Sequence, residues 1–361
     1  MGGLFSFTMR RLRVNLRDEV LVLPSRTLAL VWVVGVLALP LLSSDTYILR
    51  IAAYTCLYAI LAASWDLLAG YAGQVNFGQA LFFGTGAYAS GLLVSKLGLP
   101  PWFAVCVAAL AGALAGFATG VLCLRLRGSY LSLATLALPL IATGLLFAFP
   151  RFSGGELGIS GLPRVTGSSA GDYYVAAVAM LIAVFGLWQF ANSRFGLVLH
   201  AIRDDEVAAR ASGINTPRYK LAAFAISGLA AGLAGALFAH VVRVAGPSTL
   251  EVALSFQVVI WGVFGGLASI YGPVAAVFIL FPLTEWLGSM GRIGELRLLI
   301  FAVIVLVVLL LVPRGLAPWT RDKIEPQCPR CKQRNGAWRS ACRLCSAPMK
   351  LLPAAAGYRP R

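Results

Sequence analysis

"AIRDDEVAARASGINTPRYKLAAF", residues 201–224, packs seven charged side chains into 24 residues. It stands in a chain that is 59% hydrophobic and only 12% charged, with a mean hydropathy of +0.82. A soluble domain carries roughly 25% charged residues, so the apolar segments on either side read as membrane spans and this stretch as the connection between two of them. The 38 glycines fit the same class, because small residues let membrane helices approach closely.

The stretch has the punctuation of two helices joined by a sharp turn. A helix starting near Ile202 holds Asp204, Asp205 and Glu206 towards its N-terminal end, where the helix dipole favours negative charge. Ala208, Ala209 and Ala211 supply a small-residue surface, and Gly213 suits the left-handed position after a helix end. Thr216 then reads as an N-cap and Pro217 as the first residue of the next helix. Such a knob suits docking into a concave partner; the plainer alternative is a solvated loop whose charges only fix orientation.

Working outward, a helix needs about 20 apolar residues to cross the hydrocarbon layer. Segments near 27–42, 47–69, 73–95, 101–124, 130–149, 173–190, 219–240, 252–268, 271–287 and 297–313 qualify. Several are short, so the expected fold is an all-α, polytopic transmembrane bundle of about 8–10 helices with broken or re-entrant segments. Residues 27–42 read as a retained anchor, since scattered charges precede them and no clean cleavage site follows. Ten spans put Arg10, Arg11, Arg13 and Arg17, then Arg125 and Arg127, the 191–218 segment and the basic tail on one face, the cytoplasmic one by the positive-inside rule. The expected organisation is a basic N-terminus over 1–26, a membrane domain over 27–313 with its cytoplasmic segment at 191–218, and a tail over 314–361. Both termini are expected in the cytoplasm of a multi-pass plasma-membrane protein. The net charge of +16 is gathered mainly at span ends and in the tail, which argues against nucleic acid as a partner of the membrane domain.

Two stretches depart from plain helix. Residues 67–91, "LLAGYAGQVNFGQALFFGTGAYASG", combine six glycines with Gln74, Asn76 and Gln79. Irregular backbone at membrane depth is tolerated only where protein or a water-filled cavity satisfies it, so a broken or re-entrant helix beside a pathway is expected, with ordinary helix packing as the alternative. Residues 151–172 form a Gly- and Ser-rich connection longer than most, expected over the outer mouth or against a partner.

The segment "EVAARASGINTPRYKLAAFAISGLAAGLAGALFAH" resembles the EAA-type cytoplasmic loop and following helix of permease subunits in branched-chain amino acid ABC transporters, of the LivM-like branch. "YAGQVNFGQALFFGTGAYASGLL" (71–93), "LRGSYLSLATLAL" (126–138), "GISGLP" (158–163) and "GGLASIYGP" (265–273) extend the resemblance in order over roughly residues 45–313. It implies a permease subunit forming the membrane path for branched-chain or related amino acids. Arg203, Asp204, Asp205, Glu206, Ala208, Ala209, Arg210 and Gly213 would belong to the element that couples to the ATPase, with Arg218 and Lys220 flanking it. Gly73, Gln74, Asn76, Gly78, Gln79, Tyr130 and Thr135 would lie near the substrate pathway. The implied partners are ABC ATPase subunits, a second, LivH-like permease, an extracytoplasmic amino-acid-binding protein, the small-molecule substrate and membrane lipids. The chain has no G-x-x-x-x-G-K-[ST] phosphate loop, so it is expected to be a transport subunit without catalysis of its own, with ATP used by the partner. Rival readings are an ABC permease for urea or another small polar solute, a secondary transporter, or a membrane scaffold.

"CPRCKQRNGAWRSACRLC" follows the last span. Cys328 and Cys331 form one C-x2-C pair, and Cys342 and Cys345 another, at a spacing that suits a structural zinc ribbon over 326–348. Lys332, Arg334, Arg339 and Arg343 would offset thiolate charge. The tail from Arg314 onward holds eleven Lys or Arg against Asp322 and Glu325, a net charge of +9, suited to anionic lipid or a protein surface. Such a tail departs from the family pattern. Cys56, Cys106 and Cys123 read as packing residues, as do His200 and His240. Asp66 is the least comfortable charge in a span, suited to an ion pair, a water contact or a transport role.

Overall fold

The computed structural model describes residues 24–43, 45–123, 126, 128–290, 296–312 and 315–328, with Cys331, Asn335, Cys342 and Cys345 singly. Arg10, Arg11, Arg13, Arg17, Arg125, Arg127, Arg314, Lys332, Arg334, Trp338, Arg339, Ala341 and Arg343 lie outside them. The chain divides into two compact units, one comprising residues 1–39 and 318–361, the other Pro40–Ala317.

In the larger unit Asp45 caps α2, Thr46–Asp66, by accepting from the Tyr47 amide at 2.9 Å, and a π-helical turn, Leu67–Tyr71, extends it. From Thr55 to Ala72 nearly every residue of this segment is buried, so α2 is the bundle's central post, an apolar helix surrounded on all sides. Packed on it are α7 (Ser169–Ala191), α10 (Thr216–Val242) and α12 (Tyr271–Gly288), and the bundle also holds α3 (Gln79–Leu97), α4 (Pro101–Cys123), α5 (Ser129–Ala148) and α13 (Arg297–Leu311). Helix α1 (Pro24–Leu42) belongs chiefly to the smaller unit, as does α14 (Leu316–Ile324). Among the described residues seven helices are long and apolar enough to cross a membrane, α2 to α5, α7, α10 and α12. With the shorter apolar helices this agrees with the expected polytopic bundle.

Helix α10 packs against α4 and α3 at backbone distance. A Cβ on Gly86 of α3 would overlap the Gly232 carbonyl, and one on Gly228 would overlap the Gly112 carbonyl of α4. This is the close approach that small residues permit between membrane helices. The outward faces of α5, α7 and α13 stay apolar and exposed, with Leu133, Ile182 and Leu310 more than 60% accessible, as suits a hydrocarbon surrounding.

The span expected over 73–95 is corrected by the structure. Residues 72–78 are not helical, and α3 begins only at Gln79. The span expected over 252–268 is likewise cut short, because α11, Val252–Gly265, has 14 residues. At 1.5 Å per residue it is about 21 Å long, short of the ~30 Å hydrocarbon layer. Its approach covers the rest. The 3₁₀ turn Pro247–Leu250 runs antiparallel along α3: Ala245 faces Gly91, Leu250 faces Gly84, and Ser255 Oγ accepts the Ala80 amide at 3.0 Å.

Residues 151–172 form structure of their own. After α6, Pro150–Ser153, and a 3₁₀ turn, Gly155–Leu157, the strand β1 (Ile159–Ser160) pairs antiparallel with β2 (Val244–Ala245). His240 is buried beneath, its Nδ1 2.8 Å from the Pro163 carbonyl and its Nε2 2.8 Å from Ser90 Oγ. The Nδ1–H therefore donates to the carbonyl, and Nε2 accepts from the serine.

Candidate functional site

The charged segment folds as two helices before α10. Helix α8, Arg194–Asp204, starts on the Ser193 cap. It stops because Asp205 turns extended (φ −153°, ψ 104°) and accepts the amides of Val207 at 2.8 Å and Ala208 at 3.0 Å, capping α9, Glu206–Ala211. The helix expected to begin near Ile202 thus begins at Glu206, and the preceding acids end one helix and cap the next. Gly213 is left-handed, with φ +85°, as expected. Asn215 rather than Thr216 caps α10, by accepting from the Arg218 amide.

Glu206 faces inward. Its carboxylate accepts from Lys220 Nζ at 2.8 Å and Arg210 Nη2 at 2.8 Å, and Thr216 Oγ1 lies 3.4 Å away. The Lys220 side chain is only 6% exposed, so the pair straps α9 onto the start of α10. What α9 presents outward is Val207, Ala208, Arg210 and Ala211, while Ala209 is buried. Asp204 is exposed. Arg203 lies at the end of α8, but its guanidinium donates inward to the Gly70 carbonyl. His200 lies against Tyr71 with the rings tilted by 52° and their centroids 4.8 Å apart. Burial first, and Arg203 second, hold its pKa below the usual imidazole value, against the opposing pull of Asp204.

The glycine and amide run is a closed polar lattice. Trp65 Nε1 donates to the Asn76 carbonyl at 2.7 Å, Asn76 Nδ2 to Gln79 Oε1 at 2.9 Å, and Gln79 Nε2 to Ser64 Oγ at 2.8 Å and Ser227 Oγ at 3.2 Å. Asn76, Gln79, Ser64 and Ser227 have no exposed surface. Asn76 Oδ1 accepts the Gly78 amide, and Thr135 Oγ1, also buried, accepts the Phe77 amide at 3.0 Å. These groups keep the helix break paired, as non-helical backbone at membrane depth requires. Gly73, with φ +66°, and Gln74 lie on the accessible side of the break, and Tyr130 is 75% exposed. An open recess of about 450 Å³ lies between the break and the start of α5, lined by Gly73, Val75, Phe77, Ser129, Leu131 and Leu133 among others. The expected pathway residues thus separate into a buried frame (Asn76, Gly78, Gln79, Thr135) and positions in or flanking this recess (Gly73, Gln74, Tyr130). Ser64 and Ser227, which complete the frame, were absent from the sequence reading; their 163-residue separation leaves no local pattern.

In the smaller unit the sulfurs of Cys328, Cys331, Cys342 and Cys345 all lie within 4.8 Å of one another, with Cys331–Cys342 at 3.4 Å and Cys328–Cys345 at 3.6 Å. A disulfide needs about 2.05 Å, so these are thiols. Metal–sulfur bonds of ~2.3 Å in a tetrahedron place sulfurs about 3.8 Å apart, and the cluster fits that size. Asn335, buried, donates to Cys342 Sγ at 3.5 Å. Four cysteine ligands can hold a metal ion here and leave it no open position.

Residues 47–309 match the family model described as branched-chain amino acid transport system, permease component. The chain belongs to this family. It is 30% identical over 316 residues to the high-affinity branched-chain amino acid transport system permease protein LivM of Escherichia coli strain K12, covering 80% of this chain and 72% of that protein. It is 24% identical over 282 residues to a probable branched-chain amino acid transport permease protein LivH of Methanocaldococcus jannaschii, covering 73% and 89%. A shorter stretch of 143 residues is 30% identical to the ribose import permease protein RbsC of Bacillus subtilis, covering 38% and 44%. As a permease component of an ABC importer, the chain is a multi-pass inner-membrane transport subunit and not an enzyme.

Proposed function

We propose that this permease carries branched-chain or related hydrophobic amino acids inward, with α8 and α9 as the element that docks on a separate ATPase subunit. The observation that carries the reading is α9 itself: a single short helix, capped by Asp205 and strapped to α10 by Glu206, that presents Val207, Ala208, Arg210 and Ala211 outward. Small side chains allow a partner's backbone to come close, and the strap transmits its displacement into α10. Asp204, Asp205, Glu206, Ala209 and Gly213 shape the knob, and Arg203 ties it to the bundle.

In this reading the α8–α9 end faces the cytoplasm together with the N-terminus over 1–26 and the tail over 314–361, and residues 27–313 form the membrane domain. The β1–β2 end faces outward, where an amino-acid-binding protein delivers its cargo. A second, LivH-like permease completes the path, and lipids cover the remaining apolar faces. The recess beside Gly73, Gln74 and Tyr130 lies on the route, and its mostly apolar lining suits an aliphatic side chain. Cys328, Cys331, Cys342 and Cys345 hold a structural Zn²⁺, whose binding supplies much of the ribbon's folding energy.

The test is uptake into proteoliposomes holding the full complex, with loaded binding protein outside and ATP inside. Uptake of leucine, isoleucine or valine that requires ATP is the expected result. Transport without ATP would replace the reading with a secondary transporter, and ATP-driven uptake of urea or ribose alone would replace the cargo.

A further inference from the structure

Asp66, at the end of α2, has no exposed surface, and both carboxylate oxygens are committed to one turn. Oδ1 accepts the Ala268 amide at 2.8 Å; Oδ2 accepts Ser269 at 3.0 Å and Ile270 at 2.8 Å. The turn joins α11 to α12. Its backbone enters the left-handed region at Gly266 (φ 103°), Ala268 (φ 58°) and Ile270 (φ 41°). Alanine and above all β-branched isoleucine disfavour that region, and such backbone persists only where its surroundings over-determine it. The carboxylate is that surrounding.

The same few residues meet the docking element. Gly70 sits between the Asp66 carboxylate and the Ala268 backbone, so closely that a Cβ would overlap both. Its carbonyl accepts from Arg203 of α8. Gly73 lies against the stem of Arg203, where a Cβ would come within 3.0 Å of Cγ. The π-helical turn Leu67–Tyr71 is therefore held from one side by α8 and carries on the other the carboxylate that fixes the α11–α12 turn.

We propose that Arg203 and Asp66 are positioning residues that pass displacement of the docking element to the α11–α12 turn, setting how much substrate moves per ATP without touching substrate or ATPase. The inference rests on the reading of α8 and α9 as the ATPase-docking element. The strained turn is the two-state part: while the carboxylate holds three amides it keeps α11 in one relation to α12, and a shift of α8 through the Gly70 carbonyl loosens that hold.

The experiment measures ATP hydrolysis and amino acid uptake in the same proteoliposomes for the full complex carrying Arg203→Gln, Arg203→Lys or Asp66→Asn. In Arg203→Gln uptake per ATP hydrolysed should fall about fivefold or more, the lower end of ordinary coupling strengths, because the lost guanidinium is the one that donates to the Gly70 carbonyl. Arg203→Lys, which can still donate to the Gly70 carbonyl, should recover part of that ratio, and Asp66→Asn should lower it as Arg203→Gln does. If Asp66→Asn fails to assemble, Arg203→Gln carries the test, because it lies at the accessible end of α8. A wild-type ratio in Arg203→Gln overturns the proposal. So does release of the ATPase by that variant, which would make Arg203 a docking contact. A wild-type complex without ATP-dependent uptake removes the importer reading and this inference with it, an outcome separate from any change confined to the variants.

Discussion

At the scale of single residues, Glu206 shows how a sequence motif and its structural role diverge. Its neighbours in sequence mark it for a contact with a partner, yet its carboxylate is spent on Lys220 and Arg210 within the chain. Removing one member of a buried pair strands the other, at a cost of about 3 kcal/mol at the lower end of the range for such pairs. Glu206→Gln should therefore lower the melting temperature of the detergent-solubilised protein and reduce ATPase stimulation by loaded binding protein. Pairing it with Lys220→Met should recover the melting temperature. If the single variant melts as the wild type does, the strap has no energetic weight. The left-handed Gly213 was legible because such a glycine acts within three or four residues, whereas the caps were misplaced: the helix expected from Ile202 starts on Asp205, and Asn215 rather than Thr216 caps the next. Nor was the partner of Glu206 legible, since Lys220 lies 14 residues on and in another helix, and only the turn at 212–215 brings them together.

At the scale of elements, the break between α2 and α3 and the contact of α10 with α3 and α4 rest on opposite uses of glycine. Gly73 bends the chain with a positive φ, while Gly86, Gly112, Gly228 and Gly232 remove side chains so that backbones touch. Gly232→Val should cost about 3 kcal/mol from overpacking and sharply reduce the folded yield in membranes. Gly144→Ala is the control, because nothing lies within 4 Å of the new Cβ and alanine is the better helix former; it should express as well as the wild type. Equal yields for both variants would show that the α10 contact tolerates separation. The sequence revealed the broken helix through its glycines and amides, but not that Asn76, Gln79 and Thr135, expected near a pathway, also frame the break. A buried amide paired to a serine 148 residues away has the same local sequence as one facing water. The shortness of α11 was equally hidden, since residues 252–268 are mostly apolar and hydropathy does not register that Pro247–Leu250 already lies alongside α3.

At the scale of the whole molecule, a family membrane domain is followed by a tail whose four cysteines can hold a metal ion, and different physics is expected to hold the two. The membrane unit has long helices, backbone contacts and a hydrogen-bonded lattice around Asn76 and Gln79. The tail has four thiols within 4.8 Å and a sequence between them with few apolar residues, so a metal held there would supply much of its folding energy. The two parts should therefore fail separately. Metal analysis of the purified protein should find about one zinc per chain, and Cys328→Ser with Cys342→Ser should abolish it while leaving the helical circular dichroism of the membrane unit and its melting unchanged. Binding to vesicles of anionic lipid by the membrane-free peptide 314–361 is a poor substitute for this measurement, because a net charge of +9 attracts such vesicles whether or not the ribbon folds. The metal content of the full chain is decisive instead: four serines or cysteines at the same positions carry the same charge along the rest of the tail, and only the thiolates can close a tetrahedron. Unchanged zinc in the double variant would place the ion elsewhere. A collapse of the membrane helices alongside zinc loss would mean that the ribbon is part of the permease's own fold.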